Sequence, residues 1–353
     1  MTEKSSAHVG SGQVMTVNGP IPATSLGVTL MHEHLVNDCR CWWKPPKQPD
    51  RAQLGSEKLH MGIIGELRMD PFVNLDNCAL DDHQVAASEL MPFVAAGGRT
   101  VVDPTCRGIG RDPNKLRAIT AATGLQIVMG AGYYLQTSHP AVLKSMSADA
   151  VADEIVGEAL HGVDGTDAKI GLIGEIGVSG DFTREEEKSL RGAARAQART
   201  GLPIMVHLPA WYRHGGRVLD IISEEGGDVR QAVLCHMNPS GEDVTYQTEL
   251  ARRGAFLEYD MIGMDYWYAD QQAQCPSDED NARAIRRLID LGFLDRILLS
   301  QDVFLKMMLT RFGGFGYAYV LKHFVPRLKR YGVSDEQINV MLVDNPRRVF
   351  CSI

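Results

Sequence analysis

The sequence predicts an α/β fold, a (β/α)8 TIM barrel forming one domain over residues 1–353, and three observations predict it. Eight short runs rich in Val, Ile and Leu recur along the chain, each about the length of a buried strand. The stretches between them open on Asp, Thr or Glu and mostly close on Gly, as capped helices do. Repeated strand–helix alternation favours a parallel sheet covered on both faces, and eight repeats favour closure into a barrel. An open doubly wound sheet is the alternative, but no G-x-G-x-x-G follows the first strand to support it.

Taken in order, residues 11–26, SGQVMTVNGPIPATSL, read as a hairpin around the Asn-Gly pair and are placed to cap the barrel bottom. The first strand is VTLMHE (28–33). After it come residues 39–80, far longer than a usual βα connection and carrying the adjacent Trp42 and Trp43. In a barrel, that insert lies over the C-terminal face, where active sites sit. The remaining strands are RTVVDP (99–104), QIVMGA (126–131), IGLIGEI (170–176), PIMVHL (203–208), QAVLCH (231–236), AFLEYD (255–260) and RILLSQD (296–302). Helices are expected in DDHQVAASELMPFVAAGG, TREEEKSLRGAARAQARTG, GEDVTYQTELARRG and DEDNARAIRRLIDLG.

Composition narrows the function classes. With 353 residues, 44% of them hydrophobic, the chain can bury a large core. A formal net charge of -8 offers no general attraction to nucleic acid or to an anionic membrane. The seven cysteines are odd in number and scattered, without a C-x-x-C pair, which argues against a disulfide framework or a thiolate metal site. The opening MTEKSSAHVGSGQV lacks the apolar core of a signal peptide, and no run is long enough to span a bilayer. The expectation is a soluble cytoplasmic protein acting on a small molecule, with a homodimer left open.

The stretch GVTLMHEHLVND (27–38) places His32 and His34 one residue apart at the end of a strand. Residues i and i+2 of a strand share a face, so both imidazoles can converge on one point. Glu175 ends the fourth strand, His207 the fifth, His236 the sixth and Asp302 the eighth. Any one of them could instead cap a carbonyl or steady a loop. Four imidazoles and two carboxylates at one mouth of one barrel are better explained as metal ligands.

These residues carry a resemblance. TLMHEHL, GEIG, MVHLP, LCHMN and DRILLSQD, in that order, resemble the amidohydrolase superfamily and, within it, the phosphotriesterase-related group. The likeness runs from GPIPATSLGVTLMHEH through GGRTVVDPT and GAGYY to DNPRRVF. It implies two divalent metal ions, zinc before manganese, cobalt or nickel. His32, His34 and Asp302 would hold the more buried ion, His207 and His236 the more exposed one, and Glu175 would bridge them. It also implies a metal-bridging hydroxide as nucleophile, with Asp302 taking the proton during attack and returning it to the leaving group. Tyr134 resembles a tyrosine that faces the metals in lactonase members, with Tyr133 as its rival. Well-known members bridge their ions with a carbamylated lysine, whereas Glu175 stands here, as in a glutamate-bridged subgroup. A shorter bridge requires strand 4 to come closer, which Gly174 would permit. Gln301 stands where a histidine is expected.

Bridged hydroxide attacks many electrophiles, so substrate choice lies in the loops. The leading expectation is a binuclear hydrolase of a carboxyl ester, lactone or related small molecule, with phosphoester activity also open. A TatD-like metal-dependent nuclease is a second reading, and a non-catalytic binder of small hydrophobic ligands a third. Trp42, Trp43, Tyr266, Trp267 and Tyr268 are candidates for an apolar pocket, or for core. Arg107 and Arg111 either meet an anionic substrate group or are solvated.

Overall fold

A computed structural model of the chain describes residues 12–351. The leader reading of the first residues, and residue 11 of the hairpin, fall outside them.

All eight expected strands form and pair into one parallel sheet: β1 (Val28–Leu30), β2 (Gly98–Asp103), β3 (Gln126–Ala131), β4 (Leu172–Gly177), β5 (Ile204–His207), β6 (Ala232–Leu234), β7 (Phe256–Tyr259) and β8 (Ile297–Leu299). Each pairs with its neighbours in sequence, so the sheet runs from β1 to β8 without a switch in order. This is the barrel topology, and it removes the doubly wound alternative. The seam between β1 and β8 is closed just beyond the strands. Asp302 N–H donates to His32 O, His34 N–H to Val303 O, and Ser300 Oγ to His32 O.

Inward positions on successive strands, among them Val102, Val128, Leu172, Met205, Val233, Phe256 and Leu298, form a buried cluster. Val14, Ala23 and Leu26 join it from the N-terminal hairpin, whose strands Gln13–Thr16 and Gly19–Pro22 pair antiparallel. The hairpin therefore plugs one end of the barrel, as its position suggested. A second, larger cluster packs the helices against the outside. The four expected helical stretches are helical, at His83–Ala95, Arg184–Thr200, Val244–Arg252 and Asp278–Asp290. Thr183 with Glu186, and Ser277 with Asp280, close capping boxes at two of their starts.

The insert leaves the mouth through a two-residue ladder, Asn37–Asp38 against Ala79–Leu80. Between those ends lie short 3-10 turns and one helix, Ile64–Met69. Asn74 and Asn77 are fully buried and bind backbone carbonyls through their amides, which is how a long irregular segment satisfies its buried polar groups.

Candidate metal centre and substrate cavity

Backbone placement builds the site. His32 and His34 leave the end of β1 on one face, and both are buried. Glu175 follows Gly174, whose φ of +135° is open to glycine alone and whose added Cβ would lie 2.4 Å from Met205 O. The register between β4 and β5 shifts at this point, between Ile173 and Ile176. Glycine at 174 thus lets β4 pass close against β5 just before Glu175. His236 and Asp302 also sit at positive φ, 59° and 48°. That conformation costs about 1–3 kcal/mol per residue and persists where the surroundings overrule it. His236 N–H is held by Asp260 and Asp302 N–H by His32 O.

The six side chains meet in two adjoining groups, His32 with His34 and Asp302, and Glu175 with His207 and His236, with the candidate ligand atoms of each group within 4.8 Å of one another. Glu175 joins the groups. Its Oε1 lies 3.4 Å from His34 Nε2, while Oε2 lies 3.7 Å from His32 Nε2, 3.2 Å from His207 Nδ1 and 3.7 Å from His236 Nε2. Asp302 Oδ1 is 3.6 Å from His32 Nε2 and 3.5 Å from His34 Nε2. His32 Nε2 and Asp302 Oδ1 are buried with no hydrogen-bond partner. Two buried, unpartnered atoms facing each other beyond hydrogen-bond range fit a cation between them.

The electrostatics point the same way. Burial works against charge on His32, yet the Asp302 and Glu175 carboxylates outweigh it and hold its pKa well above the ordinary value. Burial is likewise outweighed by Asp260 at His236, which is pushed up to about 10. Burial pushes Asp302 up. Glu175 is held well below the usual range, because His32, His207 and His236 overcome its desolvation. Of the four imidazoles His207 alone is lowered, by burial and by its neighbour His236. The centre is a nest of donors whose carboxylates call for positive charge.

Residues behind the ligands were not anticipated from the sequence. His32 Nδ1 faces Glu258 Oε2 at 3.2 Å and Asp260 Oδ2 at 3.3 Å, and His236 Nδ1 faces Asp260 Oδ1 at 3.0 Å. Thr105 Oγ1 lies 2.7 Å from His34 Nδ1. Partners on Nδ1 turn the Nε2 lone pair toward the centre. Glu258 on β7 and Asp260 just past its end stand at i and i+2, so the pattern that marked His-x-His was there to be read in LEYD. Glu33, between the two histidines, points the opposite way. Its carboxylate accepts from Ser300 Oγ, Gln301 N–H, Gln301 Nε2 and Val303 N–H, and burial raises its pKa to about 7. It pins the backbone on both sides of Asp302. Gln301 turns away from the centre to Glu33, Tyr317 O and Val320 N–H.

A cavity of about 620 Å³ opens over the centre, lined by His34, Glu175, His207, His236 and Asp302, with His32 buried beneath. Tyr134 lines it, with its hydroxyl 3.4 Å from His207 Nδ1 and accepting from Trp42 Nε1–H at 3.3 Å. Tyr133 faces away and donates to Glu154. Of the five aromatic candidates, Trp42 and Tyr268 line the cavity. Trp43 instead donates to Val73 O and staples the insert. Tyr266 faces a separate surface cavity, and Trp267 sits in a short ladder opposite Gln274. Phe72, Trp211 and Phe304 complete the aromatic wall; they sit in segments whose fold could not be foreseen. Neither arginine reaches the cavity. Arg107 pairs with Glu154, and Arg111, far from solvated, is buried between Glu158 and Asp164.

Fold and site together define a (β/α)8 barrel with six candidate metal ligands gathered at its C-terminal mouth. The chain belongs to the phosphotriesterase family, whose sequence profile matches residues 12–350. An N-acetyltaurine hydrolase of Tetraodon nigroviridis is 38% identical over 96% of this chain and 97% of its own. The crystal structure of a resiniferatoxin-binding protein from Rhodobacter sphaeroides superposes with a TM-score of 0.98 at 64% identity, covering 100% of this chain and 99% of that one. A lactonase from Listeria monocytogenes gives 0.77 at 26% identity, covering 96% and 98%. The family assignment, with hydrolases among these relatives, makes the chain a hydrolytic enzyme and speaks against the nuclease reading. Among the described residues, no helix is long and apolar enough to cross a membrane.

Proposed function

We propose that this chain is a binuclear metal-dependent hydrolase that cleaves a carboxyl derivative: an ester, a lactone or, as in the N-acetyltaurine relatives, an N-acyl amide. The observation that carries the reading is the convergence of six donors on two adjoining points, with His32 Nε2 and Asp302 Oδ1 left unpartnered. His32, His34 and Asp302 would hold one ion and His207 and His236 the other, with Glu175 between. Imidazole and carboxylate without thiolate suit zinc, and also manganese, cobalt or nickel. When bound, two divalent ions acidify a water and polarise the oxygen under attack. The protein's own groups do the rest. Asp302, at the edge of the cavity, accepts a proton and passes it to the leaving group. Tyr134, beside His207, donates a hydrogen bond from its hydroxyl to the substrate's carbonyl-side oxygen. The aromatic wall seats the part of the substrate that lies away from the reacting bond.

A protein 64% identical is named for binding resiniferatoxin, which supports a second reading, a pocket that binds a ligand without turning it over. Purified protein, with its metals quantified, assayed on an ester, a lactone, an N-acyl amide, a phosphotriester and an oligonucleotide separates the two. About two transition metal ions per chain and metal-dependent turnover of a carboxyl substrate are expected. Full hydrolysis by metal-free protein, or binding without any turnover, would overturn the hydrolase mechanism.

A further inference from the structure

The outer cavity carries a pattern that the metal centre does not use. Four aromatic rings form a continuous wall: Trp42 stacks on Phe72 at 5.2 Å between centroids, Phe72 meets Tyr268 at 5.6 Å, and Tyr268 meets Trp211 at 5.5 Å. Beside them stands Asp270, which also lines the cavity. Its side chain is 6% exposed; Oδ2 accepts from Gln271 Nε2–H, and Oδ1 is buried with no partner. Lys44, which also lines the cavity, lies 4.0 Å from Oδ2 with its side chain 67% exposed, so water screens most of its charge. No arginine lines the cavity.

An anionic substrate end finds one exposed lysine already beside Asp270 and no arginine, which separates this pocket from one suited to a sulfonate such as that of N-acetyltaurine. A cationic end finds both of its usual partners, the negative faces of aromatic rings and a desolvated carboxylate oxygen. We propose that the substrate carries an ammonium group, methylated or not, which docks against the Trp42–Phe72–Tyr268–Trp211 wall and the Asp270 carboxylate while its acyl bond lies over the metal centre. This rests on the hydrolase reading for the reaction, but not for the binding.

The test has two arms. In the first, acetate esters of choline, of its neutral isostere 3,3-dimethylbutanol and of a hydroxyalkyl sulfonate are compared by kcat/KM. The order expected is cation above neutral above anion, with the cation-to-neutral ratio about tenfold or more, and Asp270→Asn should bring that ratio toward one. In the second, quenching of tryptophan fluorescence reads the binding of choline against 3,3-dimethylbutanol, with no hydrolysis needed. If no ester turns over yet choline binds more tightly than the isostere and loses that advantage in Asp270→Asn, the hydrolase reading fails and this inference stands. Equal binding of the two alcohols, or a preference for the sulfonate ester, overturns it.

Discussion

The floor of the cavity and its roof reach order by different physics. On the floor, His32, His34, His236 and Asp302 are each no more than 7% exposed, and every one is fixed from behind by a directional bond, to Glu258, Thr105, Asp260 or the β1 backbone. At the roof, Trp42 and Trp211 keep partial exposure and Lys44 is exposed; the rings are held mainly by packing and Lys44 by a screened pair with Asp270. Directional bonds between buried charges tolerate little displacement, whereas aromatic stacking accepts changes of shape at modest cost. The difference teaches that metal binding and substrate choice should respond to separate mutations.

The sharpest way to break that separation is Glu175→Ala, which removes the one carboxylate shared by both groups. A loss of about 10³-fold or more in kcat/KM is expected from a site deprived of its two-ion arrangement, with elemental analysis showing fewer than two ions per chain. Wild-type protein stripped with chelator should regain activity on adding metal alone. A need for bicarbonate would point to a carbamylated lysine in place of Glu175.

Asp260→Asn acts one layer deeper. It leaves the six donors in place but weakens the hold on His32 and His236 Nδ1. Metal affinity, measured by competition with a chromogenic chelator, should drop about 10–100-fold. An unchanged affinity would mean that backbone placement alone orients the rings.

Within the roof, adjacent tryptophans should behave differently. Trp42→Ala removes cavity wall and the bond to Tyr134, so discrimination among acyl groups should fall by about 1–2 kcal/mol with metal content retained. Trp43→Ala, which touches Val73 rather than the cavity, should lower unfolding stability and leave that discrimination nearly as it was. Steady-state kinetics on a homologous ester series, beside urea unfolding of both variants, checks the contrast.

The smallest effect concerns how the insert is tied down. Burial pushes the Asp76 carboxyl up, but Lys58, Lys306 and the Leu59 N–H outweigh it and hold its pKa down at about 2. A carboxylate depressed on folding stabilises the fold fully above its unfolded pKa of about 3.9 and loses that contribution as pH falls toward the folded value. Asp76→Asn should therefore cost about 1 kcal/mol at neutral pH, since the exposed Lys58 adds little. The gap from wild type should close between about pH 4 and pH 2 in urea titrations. A gap that persists at pH 2 would assign it to shape rather than charge.

The sequence by itself determined the barrel and the identity of its six converging donors. Strand runs and helix caps are local signals, and a residue at the end of a parallel strand is carried to the mouth whatever the loops do. Glu175 was legible for this reason, and so was the need for Gly174 beside it. Tertiary structure alone decided what depends on contacts across the barrel. It turned Tyr134 inward and Tyr133 outward, set Glu258 and Asp260 behind the histidines, and gave Glu33 to the seam. It also buried Arg111 against Glu158 and Asp164, and split Trp42 from Trp43. Irregular segments have no period from which facing can be read, and a carboxylate's role is fixed by which strand closes next to it, more than two hundred residues away in the case of Glu33 and Ser300.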